Sequence, residues 1–175
     1  GVEGEILMRP LVPYTFMARY HGNPVATEKV LANQWLHTGD IGKLDDEGNL
    51  YFIGRQAHWL RHRGENISAH EVEDIISRHA DVSEVVIVGV PAELGEEDVK
   101  AFIIPRGDTF DPETLIRWCM DEMANYKVPR YVQIVTEFPR SATKREVERS
   151  KLKAMKNGEV WDREAVMGRV SGQAR

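Results

Sequence analysis

The run Val82-Ser83-Glu84-Val85-Val86-Ile87-Val88-Gly89-Val90 is nearly all apolar and rich in β-branched residues. It lacks the period-two alternation of a half-exposed strand, so it predicts a strand covered on both faces. A chain with such an element must supply helices to cover it. Ser68-Ala69-His70-Glu71 has the spacing of a capping box, and Val72, Ile75 and Ile76 follow at helical intervals. Residues 99–104 read as a second strand, with Pro91 and Gly95 marking the connection. Asp111-Pro112 opens a further helix, Asp as N-cap and Pro at the first helical position, with an apolar stripe of Leu115, Ile116, Cys119, Met120 and Met123. Residues 131–135 predict a third strand, and residues 146–155 a terminal helix with Val147, Leu152 and Met155 on one side. The expectation for residues 56–168 is a compact α+β unit, helices covering a small sheet.

The residues before this unit have a different character. Residues 5–9 are extended and closed by Pro10, and residues 26–31 are a short helical candidate. Residues 40–44 and 50–53 flank Asp45-Asp46-Glu47-Gly48-Asn49, whose turn formers predict a hairpin. Little in this β-rich first third could build a core of its own. Residues 169–175 are polar and are expected to fray. The start at Gly1, running at once into the extended Glu5-Ile6-Leu7-Met8, leads us to expect a piece of a longer protein, though a processed terminus would read the same way.

Composition narrows the function classes. The 175 residues are 42% hydrophobic and 29% charged, ordinary for a soluble domain. A net charge of −5 argues against a nucleic-acid partner. The local basic cluster Arg61, His62 and Arg63 leaves a small phosphate-bearing ligand open. A single cysteine, Cys119, allows no internal disulfide and favours a reducing compartment, so a cytoplasmic location is expected. It sits on an apolar helical stripe and reads as core. No apolar run approaches the roughly 18 residues of a membrane span, and no signal peptide is expected. The six histidines show no metal-ligand spacing; His58 and His62 at i, i+4 read as a solvated face. Glu96-Glu97-Asp98 reads as a solvated charged turn, and no metal ligand is assigned.

Two stretches carry chemistry. In Trp35-Leu36-His37-Thr38-Gly39-Asp40, the Asp carboxylate offers two acceptors that match vicinal ribose hydroxyls, and Gly39 lets the backbone turn it toward a ligand. Arg55, after Gly54, adds a rigid charged fork for ribose or phosphate oxygens. The same residues also fit a plain turn cap and a surface ion pair. The second stretch is Arg63-Gly64-Glu65-Asn66-Ile67-Ser68, where a Gly ahead of a helix N-terminus suits close approach of a ligand. An ordinary loop-to-helix junction would read the same way.

Taken together, these blocks resemble the adenylate-forming superfamily of acyl-CoA and aryl-CoA synthetases, luciferases and peptide-synthetase adenylation domains. Gly4-Glu5-Ile6-Leu7, Tyr20-His21-Gly22-Asn23-Pro24-Val25-Ala26-Thr27 and residues 35–40 are similar to the end of that family's large domain. Gly48 to Arg55 is similar to its last strand. Gly64-Glu65-Asn66-Ile67-Ser68-Ala69-His70-Glu71-Val72-Glu73 and Tyr126-Lys127-Val128-Pro129-Arg130 resemble its small domain. Within the family, residues 64–68 and Trp161-Asp162-Arg163-Glu164 look most like bacterial ligases for carnitine-type or bile-acid-type acids.

The resemblance implies that residues 1–55 are the last segment of a large AMP-binding domain and residues 56–168 a mobile C-terminal domain. It implies an acid-thiol ligase using ATP, Mg2+ and CoA, none of them held stably by this fragment alone. Partners would be the missing N-terminal domain, a small-molecule acid, ATP and CoA, with a homo-oligomer allowed. Asp40 and Arg55 would bind ATP, and Gly64, Glu65 and Asn66 would line the CoA passage. The hinge, usually Lys or Asp, falls on Ala57, with His58 where an acid is common. The family's Pro-Arg-Thr-x-Thr-Gly-Lys-Val, whose Lys serves adenylation, reads here Pro139-Arg140-Ser141-Ala142-Thr143-Lys144-Arg145-Glu146-Val147. Deleting the Gly makes Lys144 the match, ungapped counting picks Arg145, and aligning the Val picks Glu146; Lys144 is taken as the catalytic candidate. Two rival readings are an adenylation domain that loads a carrier protein and a non-catalytic interaction domain that keeps the fold.

Overall fold

A computed structural model describes residues 1–92, 95–155 and 157–168, so the expected frayed tail at 169–175 lies outside the described residues. The contacts divide the chain into two compact units, with the boundary between Ala57 and His58.

The first unit is a three-stranded antiparallel sheet, β1 (Glu3–Met8), β2 (Leu36–Leu44) and β3 (Leu50–Arg55), in the order β1-β2-β3. A short helix α1 (Pro24–Val30) starts on Asn23, whose side chain caps Ala26 N at 3.0 Å. The β2–β3 hairpin is closed by Asp45, whose Oδ1 accepts from Glu47 N and Asn49 N. Of residues 1–57 only Gly42 and Gly54 are buried. Leu44, Leu50, Tyr51 and Phe52 all remain at least half exposed. Without buried large side chains, each worth about 1.5–3 kcal/mol, this unit has no core to stabilise it alone.

The second unit opens with a hairpin absent from the sequence-based expectation: β4 (Trp59–His62) and β5 (Glu65–Ser68), antiparallel, with His62 facing Glu65. Its two-residue turn has Arg63 at φ 51° and Gly64 at φ 82°, the paired positive-φ geometry of a tight hairpin. Helix α2 (Ala69–Ile76) follows directly, capped as expected by Ser68 Oγ accepting from Glu71 N. Next come β6 (Val82–Pro91), β7 (Glu97–Pro105), α3 (Pro112–Glu122), β8 (Tyr131–Ile134), α4 (Arg149–Ala154), β9 (Val160–Asp162) and α5 (Arg163–Met167). The sheet order is β6-β7-β8-β9, antiparallel except for β7 with β8, which α3 joins.

Both faces of β6 and β7 are covered, as the apolar run at residues 82–90 requires. Ile87, Val99, Ala101 and Ile103 pack with Val72 and Ile76 of α2 and with Leu115, Ile116 and Cys119 of α3. Alternate residues Val86, Val88 and Phe102 face the other way, onto Phe138 and Leu152 of α4. Burial pushes the Cys119 thiol up to about 12, so it is a core residue without thiolate character.

Four expectations need correction. The terminal helix begins at Arg149 rather than 146, because Arg140 and Val147 pair in an isolated antiparallel bridge and Arg145 has φ 56°. The strand β9 and helix α5 were missed, and Arg163 there is buried. Glu97 and Asp98 are not a solvated turn: they open β7, and Asp98 is buried against Arg130 Nη1 at 2.9 Å. His62 is no solvated face either, since it is buried and its Nδ1 donates to the Glu97 carbonyl at 2.7 Å. In the last two cases a charged or polar group finds a partner remote in sequence, which local pattern cannot register.

Candidate functional site

Asp40 lies on β2 opposite Arg55, the last residue of β3, so the hairpin register brings the two together. Arg55 Nε donates to Asp40 Oδ1 at 3.0 Å. Asp40 Oδ2 has no partner among the described residues and remains available to a hydroxyl donor. The strand leading to Asp40 is tied down from β1. Glu5 accepts from Gly39 N at 3.0 Å through Oε1, and His37 Nδ1 lies 2.8 Å from its Oε2. That His37 contact, ahead of the Gly39 amide, holds the Glu5 carboxyl below the usual carboxylate range. Thr38 Oγ1 donates to Ile6 O at 2.7 Å and accepts from Asp40 N at 3.1 Å. Gly39 sits at φ 72°, where a side chain is strained, so the turn that aims Asp40 needs its glycine. Glu5 is the positioning residue that sequence reading missed; its only signal was membership of Gly4-Glu5-Ile6-Leu7.

Ala57 is exposed and ends the first unit within the short turn Gln56–His58. Gly64 stands in the tip of the β4–β5 hairpin, with four residues of strand between it and α2, and not at a loop-to-helix junction. Its N–H donates to Glu96 Oε2 at 3.0 Å, and Arg63 Nη2 reaches Glu164 Oε1 at 3.3 Å. A Cβ built on Gly64 meets nothing within 4 Å, so the space on that side of the tip is open. Glu65 and Asn66 follow on β5, both exposed.

Lys144 is exposed at the tip of the loop closed by the Arg140–Val147 bridge, and its ammonium has no partner among the described residues. The loop's positive-φ residue, the position a glycine suits best, is Arg145. Counting from that residue, or from Val147 in the bridge, places Glu146 rather than Lys144 at the lysine of the family pattern. Thus Asp40 and Arg55 meet, Gly64, Glu65 and Asn66 are neighbours, and Lys144 stands on a separate loop. Among the described residues no group of three or more His, Cys, Asp or Glu is placed to hold a metal ion. No helix among them is long and apolar enough to cross a membrane.

The AMP-binding enzyme C-terminal domain family matches residues 71–145. The crotonobetaine/carnitine–CoA ligase of Escherichia coli O139:H28 is 39% identical over 145 residues, covering 82% of this chain and 28% of the relative. The chain therefore spans less than a third of the length of the curated relatives it matches. An o-succinylbenzoate CoA synthetase from Bacillus subtilis, solved with an acyl-adenylate, superposes with a TM-score of 0.78 at 30% identity, over 90% of this chain and 32% of that one. An amide bond synthetase from Marinactinospora thermotolerans superposes with a TM-score of 0.76 at 30% identity, covering 88% of this chain and 31% of its own. The matched segment holds most of α2, the strands β6, β7 and β8, and Lys144. Residues 71–145 are thus similar to the AMP-binding enzyme C-terminal domain family.

Proposed function

We propose that this chain is the C-terminal part of an ATP-dependent acyl-CoA ligase and is inactive without the rest of that protein. The observation that carries the reading is the Asp40–Arg55 pair, an aimed carboxylate with one oxygen free beside a guanidinium. The free oxygen would accept from a ribose hydroxyl while Arg55 turns to ribose or phosphate oxygens. In the first step a substrate carboxylate oxygen attacks the α-phosphorus of ATP and pyrophosphate leaves, giving the acyl-adenylate. In the second, the CoA thiol sulfur attacks the acyl carbon, its proton is lost, and AMP leaves with the bonding pair. Lys144 would place an ammonium beside the charge that builds in the first step. Gly64, Glu65 and Asn66 would border the pantetheine arm in the second, and Ala57 would be the pivot between the two.

Among the described residues no group of three or more His, Cys, Asp or Glu is placed to hold a cation; the ligands of the magnesium that accompanies ATP are assigned to the part of the protein outside this chain. The resemblance implies a glycine-rich phosphate loop and an acyl pocket, and both are assigned there too. A cytoplasmic location is proposed from cysteine usage alone, a single buried Cys119. The likeness to an amide bond synthetase makes an amine the competing acceptor. The test is to assay the longer protein for acid-dependent AMP release with CoA, then with amines. AMP release that CoA stimulates, with thioester formed, supports the reading; amide formation without thioester assigns the amine acceptor, and no acid-dependent AMP release overturns it.

A further inference from the structure

The loop that carries Lys144 has an arginine at each foot. Its backbone is a short ladder: Ser141 N donates to Glu146 O at 2.9 Å, Arg145 N to Ser141 O at 3.0 Å and Glu148 N to Pro139 O at 2.8 Å. At the first foot Arg140 donates to the Arg145 carbonyl at 3.1 Å and pairs with Glu84 of β6. At the second foot Arg149 meets Glu73 of α2 with both prongs, Nη1 to Oε1 at 2.5 Å and Nη2 to Oε2 at 2.8 Å. The same Nη1 donates to the Ile87 carbonyl at 2.6 Å, and Glu73 Oε1 accepts from Ile87 N at 2.6 Å.

Strand β6 is the edge of its sheet, so the outward N–H and C=O of Ile87 lack a strand partner. Glu73 and Arg149 satisfy both groups, as a neighbouring strand would, and close the edge. The side chains of Glu73 and Arg149 are only 13% and 21% exposed, where water and salt screen a charge pair weakly. Arg149 follows the bridge residue Val147 by two positions, so the pair fixes the second foot of the loop directly against the sheet. Register matters here because Lys144, Arg145 and Glu146 are consecutive. A slip of two residues would put the Glu146 carboxylate where the Lys144 ammonium stands.

We propose that Glu73 and Arg149 are positioning residues: their pair, clasped on Ile87, sets the register of loop 141–146 and thereby where the Lys144 ammonium stands. The inference rests on the adenylation reading for its catalytic consequence, but not for the hold on the loop.

The hold is tested on the 175-residue chain with Glu73→Gln and Arg149→Lys, following amide hydrogen exchange. The amides of Ser141 and Arg145 should exchange about tenfold faster or more, while those of Ala101 and Phe102 in β7 stay slow. Unchanged loop amides overturn the proposal, and so does equal acceleration in the loop and β7, which marks a general loss of stability. Arg149→Lys, which keeps the charge, covers the case in which Glu73→Gln does not fold. In the longer protein, Glu73→Gln should lower kcat for acid-dependent pyrophosphate exchange by about 10- to 100-fold with little change in KM for ATP. In a Lys144→Ala background it should have no further effect. Independent, multiplying losses overturn action through Lys144. A silent Lys144→Ala instead removes Lys144 from the chemistry, and the hold on the loop is then decided by exchange alone.

Discussion

Arg55 Nε and Asp40 Oδ1 meet at 3.0 Å across the β2–β3 register, leaving the second Asp40 oxygen unpaired among the described residues. In a purely structural ion pair between residues exposed to this degree, either partner contributes at most about 1 kcal/mol. A ligand site behaves differently. In the longer protein Asp40→Ala should weaken ATP binding by about 1.5–3 kcal/mol per charged hydrogen bond lost. Arg55→Ala should do so less when the ribose, rather than phosphate, is the dominant contact. Nucleotide titration of both variants decides it; unchanged affinity with the fold intact would reduce Asp40 to a turn residue.

The hairpin tip gives a second prediction, sharper than a simple size test. Gly64 has φ 82° and open space around its Cβ position, so the cost of a side chain there is backbone strain, about 1–2 kcal/mol. Asn tolerates that conformation, whereas Leu does not. Gly64→Asn should therefore fold close to normally yet slow thioester formation, because its side chain intrudes where the pantetheine arm would pass. Adenylation should be spared. Gly64→Leu should show the same block with added instability. Equal loss in both half-reactions for the Asn variant would take Gly64 out of the CoA passage.

Helix α3 supplies a stability test with a defined sign. Asp111 accepts from Thr114 Oγ1 at 2.5 Å, Thr114 N at 3.1 Å and Glu113 N at 3.2 Å. The Thr114 hydroxyl is the foremost reason its carboxyl is held below the usual range. A depressed folded-state value means the stabilisation is present above the unfolded value, about 3.9, and is lost as pH falls through the lower folded one. Asp111→Ala should cost about 0.5–2 kcal/mol near pH 7. The gap between wild type and variant, read from denaturant melts, should narrow below about pH 4. A gap that widens in acid would contradict the cap.

Much of this was legible because it is local. Ser68 and Asp111 cap the helices that their spacing announces, and the unalternating run at residues 82–90 is a strand buried on both faces. Asp40 and Arg55 were each picked out, and hairpin register explains why they touch. The β4–β5 hairpin was missed because Arg63 is a non-glycine residue with positive φ, so the turn lacks the usual Asn-Gly or Asp-Gly signature. Asp98 and Arg130 are 32 residues apart, and Glu73 and Arg149 are 76 apart. Such pairs exist only once the sheet has formed. The same limit left the charged residues of the 139–147 loop ambiguous, since none of the three counting schemes knew which residue takes the positive φ.

That loop carries the last prediction. Adenylation concentrates negative charge on the α-phosphate and the entering carboxylate, and one well-placed cation there is typically worth about 10²–10³ in rate. Lys144 is exposed and without a partner among the described residues, so its ammonium is available at no cost in broken contacts. Lys144→Ala should slow adenylation by that factor and spare thioester formation from supplied acyl-adenylate. Arg145 holds the strained φ of 56°, and its carbonyl is gripped by Arg140. Arg145→Gly should relieve that strain, with little change in rate if the Arg145 side chain has no part in the chemistry. Glu146 occupies the register of the family lysine when counted from Val147, so Glu146→Lys is the informative gain test. A faster adenylation in Glu146→Lys with a silent Lys144→Ala would show that this chain has lost the cation at its usual place. A large loss in Lys144→Ala with no gain in Glu146→Lys would show that the cation has moved along the loop.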